Sequence, residues 1–391
     1  MSSHLPPRYP AMADDTAPVD RITERRTMAN TPLAKYFQAA VKFEASDLIM
    51  KAGVAPRLRL RGELKALDAE PLPIEEFEKY VEASLSESQW RYYAEHGSID
   101  LGIDFDFGAA QPQRFRCNIF RSRGLSSVSA RRVNNSILTF DELFLPPVLS
   151  QVADKRQGLV LVAGITSSGK STTIASMLQH VNKSRSCHVV TIEDPIEYLF
   201  VNDKATISQR EIGIDVPSFT IALKALVREN PDVVLIGEMR DQETFESALQ
   251  AAETGHLVFG TIHASSAPQA FGRIYDLFPA AQRELIRTML AYQMQAFIYQ
   301  KLLPTIREEP QYVPAVEVLL QSPAVRKRIL EGKEHELDEV IRDSRDSGMQ
   351  TFTDSLVELV RKEYIHPKVA MTSASNPEEV KMRMRGINAA R

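Results

Sequence analysis

Apolar and polar residues alternate strictly at Ile99, Leu101, Ile103, Phe105 and Phe107, and again at Phe115, Cys117 and Ile119. A period of two puts one strand face against a core and the other in water, so both stretches predict half-buried antiparallel strands. Leu58-Arg59-Leu60-Arg61 alternates too, after the strand-like residues 46–51, and Gly62-Glu63 reads as a hairpin turn into Leu64-Lys65-Ala66-Leu67. Helical spacing replaces alternation at Leu33, Phe37, Ala40 and Val41, and at Phe77, Val81 and Leu85. The first folded stretch is therefore a small α+β domain.

Further along the pattern changes. Residues 159–163, 189–192, 233–236 and 257–261 are apolar runs, separated by helical patterns such as Phe245, Ala248, Leu249 and Ala252. That alternation predicts an α/β domain with a largely parallel sheet between helices, whose ligands bind beyond the carboxyl ends of the strands. The boundaries follow from the breaks. Residues 1–31, with Pro6, Pro7, Pro10 and Pro18 and no period, predict a disordered tail. Residues 32–135 form the first domain, 136–147 a linker between Asn134-Asn135-Ser136 and Pro146-Pro147, and 148–391 the second domain.

Composition adds limits. A chain of 391 residues accommodates two domains, and a formal charge of −4 gives no global reason to expect nucleic acid or an anionic membrane. Cys117 and Cys187 fall short of a four-cysteine zinc site and read as small hydrophobes in a reducing compartment. No apolar run reaches the roughly 18 residues of a spanning helix, which predicts a cytoplasmic protein without membrane insertion.

Chemistry concentrates after the apolar runs. Gly164-Ile165-Thr166-Ser167-Ser168-Gly169-Lys170-Ser171 satisfies G-x-x-x-x-G-K-[ST] between a strand and a helix beginning near Thr172. Such a turn aims backbone N–H groups and the positive helix end at one point, where a polyphosphate satisfies them. Lys170 would reach the β- and γ-phosphates and Ser171 would hold Mg2+. Glu193-Asp194-Pro195-Ile196-Glu197 places three carboxylates after the second run, more than helix capping requires. Val233-Val234-Leu235-Ile236-Gly237-Glu238 ends a third run in an acid, so Glu238 is the candidate for orienting water. His256 and His263 bracket the fourth run as candidate γ-phosphate sensors. Arg114, Arg116, Arg121, Arg123, Arg131 and Arg132 read mostly as a solvated strand face, with arginine fingers the sharper alternative.

These motifs, in this order, resemble the secretion ATPases of type IV pili and type II secretion, and within them the PilT/PilU-type pilus retraction motors. The similarity runs through the phosphate loop, Thr191-Ile192-Glu193-Asp194-Pro195-Ile196-Glu197, Gly237-Glu238-Met239-Arg240-Asp241 and Gly255-His256-Leu257-Val258-Phe259-Gly260-Thr261-Ile262-His263. The resemblance implies a PAS-like first domain, a RecA-like P-loop ATPase second domain, and a homohexamer holding ATP and Mg2+ between the domains. It implies Glu238 as catalytic acid, Glu197 at metal and water, His256 and His263 as a His box, and Arg116, Arg123 and Arg131 as arginines reaching the nucleotide. Residues 164–172 would bind nucleotide, with Ser171, Glu197 and Glu238 at the metal. It further implies a place at the cytoplasmic base of the pilus machine, against its inner-membrane platform protein, with pilus retraction as the work done.

This chain lacks the four-cysteine insertion of the extension motors. It departs from the family loop G-P-T-G-S-G-K-S at Ile165 and Ser167, where a serine Cβ weakens nucleotide binding if the position needs positive φ. Ala324-Val325-Arg326-Lys327-Arg328-Ile329-Leu330-Glu331 only partly matches the retraction signature A-I-R-N-L-I-R-E. The alternative is thus an accessory PilU-like subunit with weak turnover, acting with a second retraction ATPase. A nucleic-acid translocase rests on the arginine cluster alone.

Overall fold

In the computed structural model, which describes residues 28–60, 62–108, 112–133 and 136–386, the chain divides into two units, Met1–Arg132 and Val133–Arg391. The alternating stretches of the first become six antiparallel strands: β1 Asp47–Lys51, β2 Val54–Leu60, β3 Glu63–Ala66, β4 Ser98–Phe105, β5 Gln113–Ser122 and β6 Leu125–Arg132, in the order β3-β2-β1-β6-β5-β4. Every second residue of β4 is buried, as the period demands. Those residues pack with helices Ala34–Lys42, Ile74–Ala83 and Glu87–His96 in one core. Phe37 anchors it, stacked on Phe105 at 4.2 Å and edge-on to Phe115 at 5.0 Å between ring centroids; truncating such a buried ring costs about 3–5 kcal/mol.

The tail expected over 1–31 lies outside the described residues up to position 27. Its end is ordered: Met28–Asn30 form a short 3-10 turn because Met28 is fully buried in the first core. Helix Glu87–His96 went unread, although Ser86 and Gln89 close a reciprocal capping box and Gly97 ends it at φ 75°. Strand β6 was also unread, since its buried Ser126 and Ser127 blur the alternation.

The second unit is built on β7 Gly158–Ala163, β8 His188–Glu193, β9 Thr206–Glu211, β10 Val233–Ile236, β11 Leu257–Ile262, β12 Met294–Pro304 and β13 Tyr312–Leu320. The order is β13-β12-β7-β11-β10-β8-β9, with only the β12–β13 pair antiparallel. Strands β7, β10 and β11 are buried along their whole length. Their alternate residues feed two separate cores, Leu159 and Leu161 on one face, Val160 and Val162 on the other. Helices thus cover both faces of a mixed α/β fold, as the apolar runs predict. Residues 136–147, read as a linker, instead pack Phe140, Leu143 and Leu145 onto the second core. Three apolar side chains within six residues are better buried than left in a solvated tether.

Candidate active site

Four strand ends converge. The parallel register pairs Ile262 of β11 with Ala163 of β7, and Ile236 of β10 with both Gly260 of β11 and Ile192 of β8. The polar residues that follow these positions therefore share one end of the sheet.

Gly164 to Gly169 turns from β7 into helix Lys170–Ser184. A Cβ on Gly164 would lie 2.5 Å from the Gln300 carbonyl oxygen, so only glycine lets the loop pass so close to β12. Gly169 caps the helix at φ 86°, and Ser167 adopts φ 61°. The serine thus occupies the left-handed region that the sequence marked as the doubtful case, and the loop keeps its curl. Lys170 Nζ donates to the carbonyls of Gly164 at 2.9 Å and Ile165 at 3.0 Å. Burial lowers its ammonium below the ordinary lysine range, against the raising charges of Glu238 and Glu197. Both carboxylates therefore lie within electrostatic reach of the lysine.

Glu238 follows β10 with a basic side chain beside each oxygen. Arg240 Nη2 donates to Oε2 at 2.5 Å, and His263 Nε2 lies 3.0 Å from Oε1. Burial alone would raise the Glu238 carboxyl, but the hydrogen bond and charge of Arg240, then those of His263, hold it below the usual carboxylate range. The turn beneath is fixed by backbone: Gly237 N–H donates to Ile192 O at 2.8 Å, and the Thr261 hydroxyl to Gly237 O at 2.6 Å.

The carboxylates after β8 separate by environment. Glu193 is buried, accepts from Thr191 Oγ1 at 2.6 Å, and is pushed by burial up to about 7. Glu197 is exposed. Between them and the phosphate helix runs a chain of polar contacts: Gln209 Nε2 reaches Glu193 Oε1 at 3.3 Å and Tyr198 O at 2.8 Å, and the Tyr198 hydroxyl meets Thr172 Oγ1 at 2.7 Å. Ser171 lies in the first helical turn beside Lys170.

Not every candidate joins this cluster. His256 immediately precedes Leu257, the β11 residue paired with Gly158 at the start of β7, about 20 Å along the strand from the phosphate loop. Its Nδ1 meets Ala251 O at 2.9 Å, at the end of helix Gln242–Glu253. The two histidines bracket a strand, so its length itself keeps them apart. Arg116, Arg123 and Arg131 belong to the first unit. Arg116 and Arg131 face each other across β5 and β6 on the exposed side, with Arg131 Nε 2.9 Å from Asp47 Oδ1. Arg123 takes φ 55° in the two-residue turn Arg123-Gly124 joining those strands. Residues 324–331 fall on helix Pro323–Leu330 and the residue after it; the helix buries Val325 and Ile329, exposes Lys327, and leaves Arg326 and Arg328 half-buried.

Gln300, Tyr198, Gln209 and Arg240 were missed as site residues. The first came with an unread strand; the rest adjoin quoted motifs, but their contacts depend on the fold. Among the described residues no three His, Cys, Asp or Glu side chains form a metal cage, and no helix is long and apolar enough to cross a membrane. The hydroxyl of Ser171 and the carboxylates that follow β8 and β10 are hard-oxygen donors, of the kind Mg2+ uses alongside phosphate and water.

The profile of the family described as "Type II/IV secretion system protein" matches residues 120–366. The "Twitching motility protein" of Neisseria gonorrhoeae is 40% identical over 326 residues, 83% of this chain and 86% of that protein. The "Type IV pilus retractation ATPase PilT" of Pseudomonas aeruginosa is 38% identical, over 87% of this chain and 97% of its own length. Its "Type IV pilus ATPase PilU" is 35% identical over 89% and 90%. Among solved structures, "Crystal Structure of the Pilus Retraction Motor PilT and Bound ADP" superposes with a TM-score of 0.81 at 39% identity, covering 88% of this chain and 97% of that one.

Proposed function

The chain belongs to the type II/IV secretion system proteins, among their pilus retraction ATPases, and from that premise we propose that it hydrolyses ATP to power retraction of a type IV pilus. The observation that carries this reading is the parallel register of β7, β11, β10 and β8, which sets the turns bearing Lys170, Glu238 and Glu197 at one end of the sheet, where the charges of both carboxylates act on the Lys170 ammonium.

In this reading the second unit is a RecA-like ATPase domain and the first a PAS-like domain, with limits near 32–135 and 148–391. Lys170 leaves the Gly164 and Ile165 carbonyls for the β- and γ-phosphates, while the N–H groups at the helix start receive the remaining oxygens. Ser171, Glu238 and Glu197 would hold Mg2+, directly or through water, and the bound ion would neutralise charge on the phosphates. Glu238 orients the attacking water. Its basic neighbours hold it in the carboxylate form, and His263, 3.0 Å from Glu238 Oε1, follows the γ-phosphate. His256 serves the same strand from its far end. Arg116, Arg123 and Arg131 reach the nucleotide of a neighbouring subunit, in a ring of six copies. The ring works at the cytoplasmic base of the pilus machine, against the inner-membrane platform protein.

ATP hydrolysis by the assembled oligomer, wild type against Lys170→Ala, tests the reading. Loss of about a hundredfold or more in turnover is expected, since a charged clamp on the transferred group is removed. Unchanged turnover overturns the assignment, and wild-type nucleotide binding without turnover points instead to an accessory subunit that acts with a second retraction ATPase.

A further inference from the structure

Gln300 follows Tyr299, the β12 residue paired with Ala163, and so stands level with Gly164 at the start of the phosphate loop. It is 2% exposed, and both ends of its carboxamide are used. Nε2 donates to the Ser168 carbonyl at 2.7 Å, and Oε1 accepts from the Thr173 hydroxyl at 2.6 Å. One side chain thereby spans the last turn of the loop and the first turn of the helix.

The bond to Ser168 has a directional consequence. A trans peptide is planar, with its C=O and N–H opposed. Drawing the Ser168 carbonyl toward β12 turns the Gly169 N–H the other way, at the head of helix Lys170–Ser184, where N–H groups lack intrahelical partners. This is also the peptide most free to rotate, because glycine follows it and accepts φ of either sign. The Ser168 side chain does not restrain it, since its buried hydroxyl finds no hydrogen-bond partner.

We propose that Gln300 is a positioning residue of the phosphate loop: it holds the Ser168–Gly169 peptide with its N–H presented to the nucleotide phosphates, and Thr173 holds the carboxamide. The proposal rests on the nucleotide-binding reading above. Gln300 itself touches no substrate.

The test is titration of the assembled full-length chain with a fluorescent ADP analogue, comparing wild type, Gln300→Leu, Gln300→Asn and Thr173→Val, with ATP turnover and thermal melts on the same samples. Gln300→Leu should weaken binding roughly tenfold, the scale of one lost directional hydrogen bond. Its KM for ATP should rise more than its kcat falls. Gln300→Asn, one methylene too short, should not rescue it, and Thr173→Val should give a smaller loss in the same direction. Wild-type affinity in a folded Gln300→Leu oligomer overturns the proposal, even if the melting temperature drops, because that is what a purely structural glutamine would give. Should Gln300→Leu fail to fold, Thr173→Val decides: unchanged affinity overturns the proposal, and weakened affinity supports it. Absence of binding by the wild type would overturn the nucleotide reading and this proposal with it, a result distinct from equal binding by wild type and variant.

Discussion

At Ser167 the phosphate loop places a side chain where glycine is at home. With φ at 61°, the serine carries a left-handed strain of about 1–2 kcal/mol, partly offset by the entropy glycine would lose on folding, roughly 0.5–1 kcal/mol. The strain is a property of the folded chain, present before any phosphate arrives. Ser167→Gly should therefore raise stability in chemical denaturation by up to about 1 kcal/mol, while changing nucleotide affinity by less than about twofold in the same titration that tests Gln300. A large gain in affinity would show that the serine resists the bound conformation. The neighbouring residues divide sharply in how well the sequence announces them. Lys170, Ser171 and Glu238 are legible because their spacing from a strand end is local. Gln300 and Thr173 are 127 residues apart, and nothing near either one signals that they meet. His256 shows the opposite failure: its proximity to the motif in sequence suggested proximity in space, which a six-residue extended strand rules out.

The elements themselves follow the hydrophobic pattern where it is strong and escape where it is not. Strands β7, β8, β10 and β11 are continuous apolar runs and were readable at once. Strand β12 begins directly after helix Arg283–Gln293 without a breaking glycine or proline, so period alone gave no boundary. Strand β13 carries an element-scale effect of its own. Glu317, buried on β13, accepts from the Ala267 N–H at 2.9 Å at the start of helix Ala267–Asp276. Burial pushes its carboxyl up to about 7 from an ordinary 4.5. Between those values the folded chain holds a proton that the unfolded chain has released, so Glu317 makes stability fall as pH rises across that window and leaves it level above. Glu317→Gln keeps the acceptor and removes the titration. Between about pH 4.5 and 7 the melting temperature of the variant should therefore fall less, or rise more, than that of the wild type as pH increases. An identical slope would show that Glu317 does not titrate in this range.

At the scale of the molecule, the order of motifs points to the second unit for the proposed phosphate and water chemistry. The retained Glu197, Glu238 and His263 stand at the carboxyl end of its sheet. If the ring shares its work among subunits, doping wild type with Glu238→Gln subunits should depress hydrolysis more steeply than the fraction added; strictly proportional loss would mean that each site fires alone. One border of the sheet constrains how such copies meet. Strand β9 ends the row, its Arg210 is ion-paired with Glu229, and its Gln209 is committed to Tyr198 and Glu193. A foreign strand zipping onto that border would meet a guanidinium and a carboxamide already spoken for, rather than a bare apolar ribbon. That border of the sheet is thereby blunted against edge-to-edge pairing.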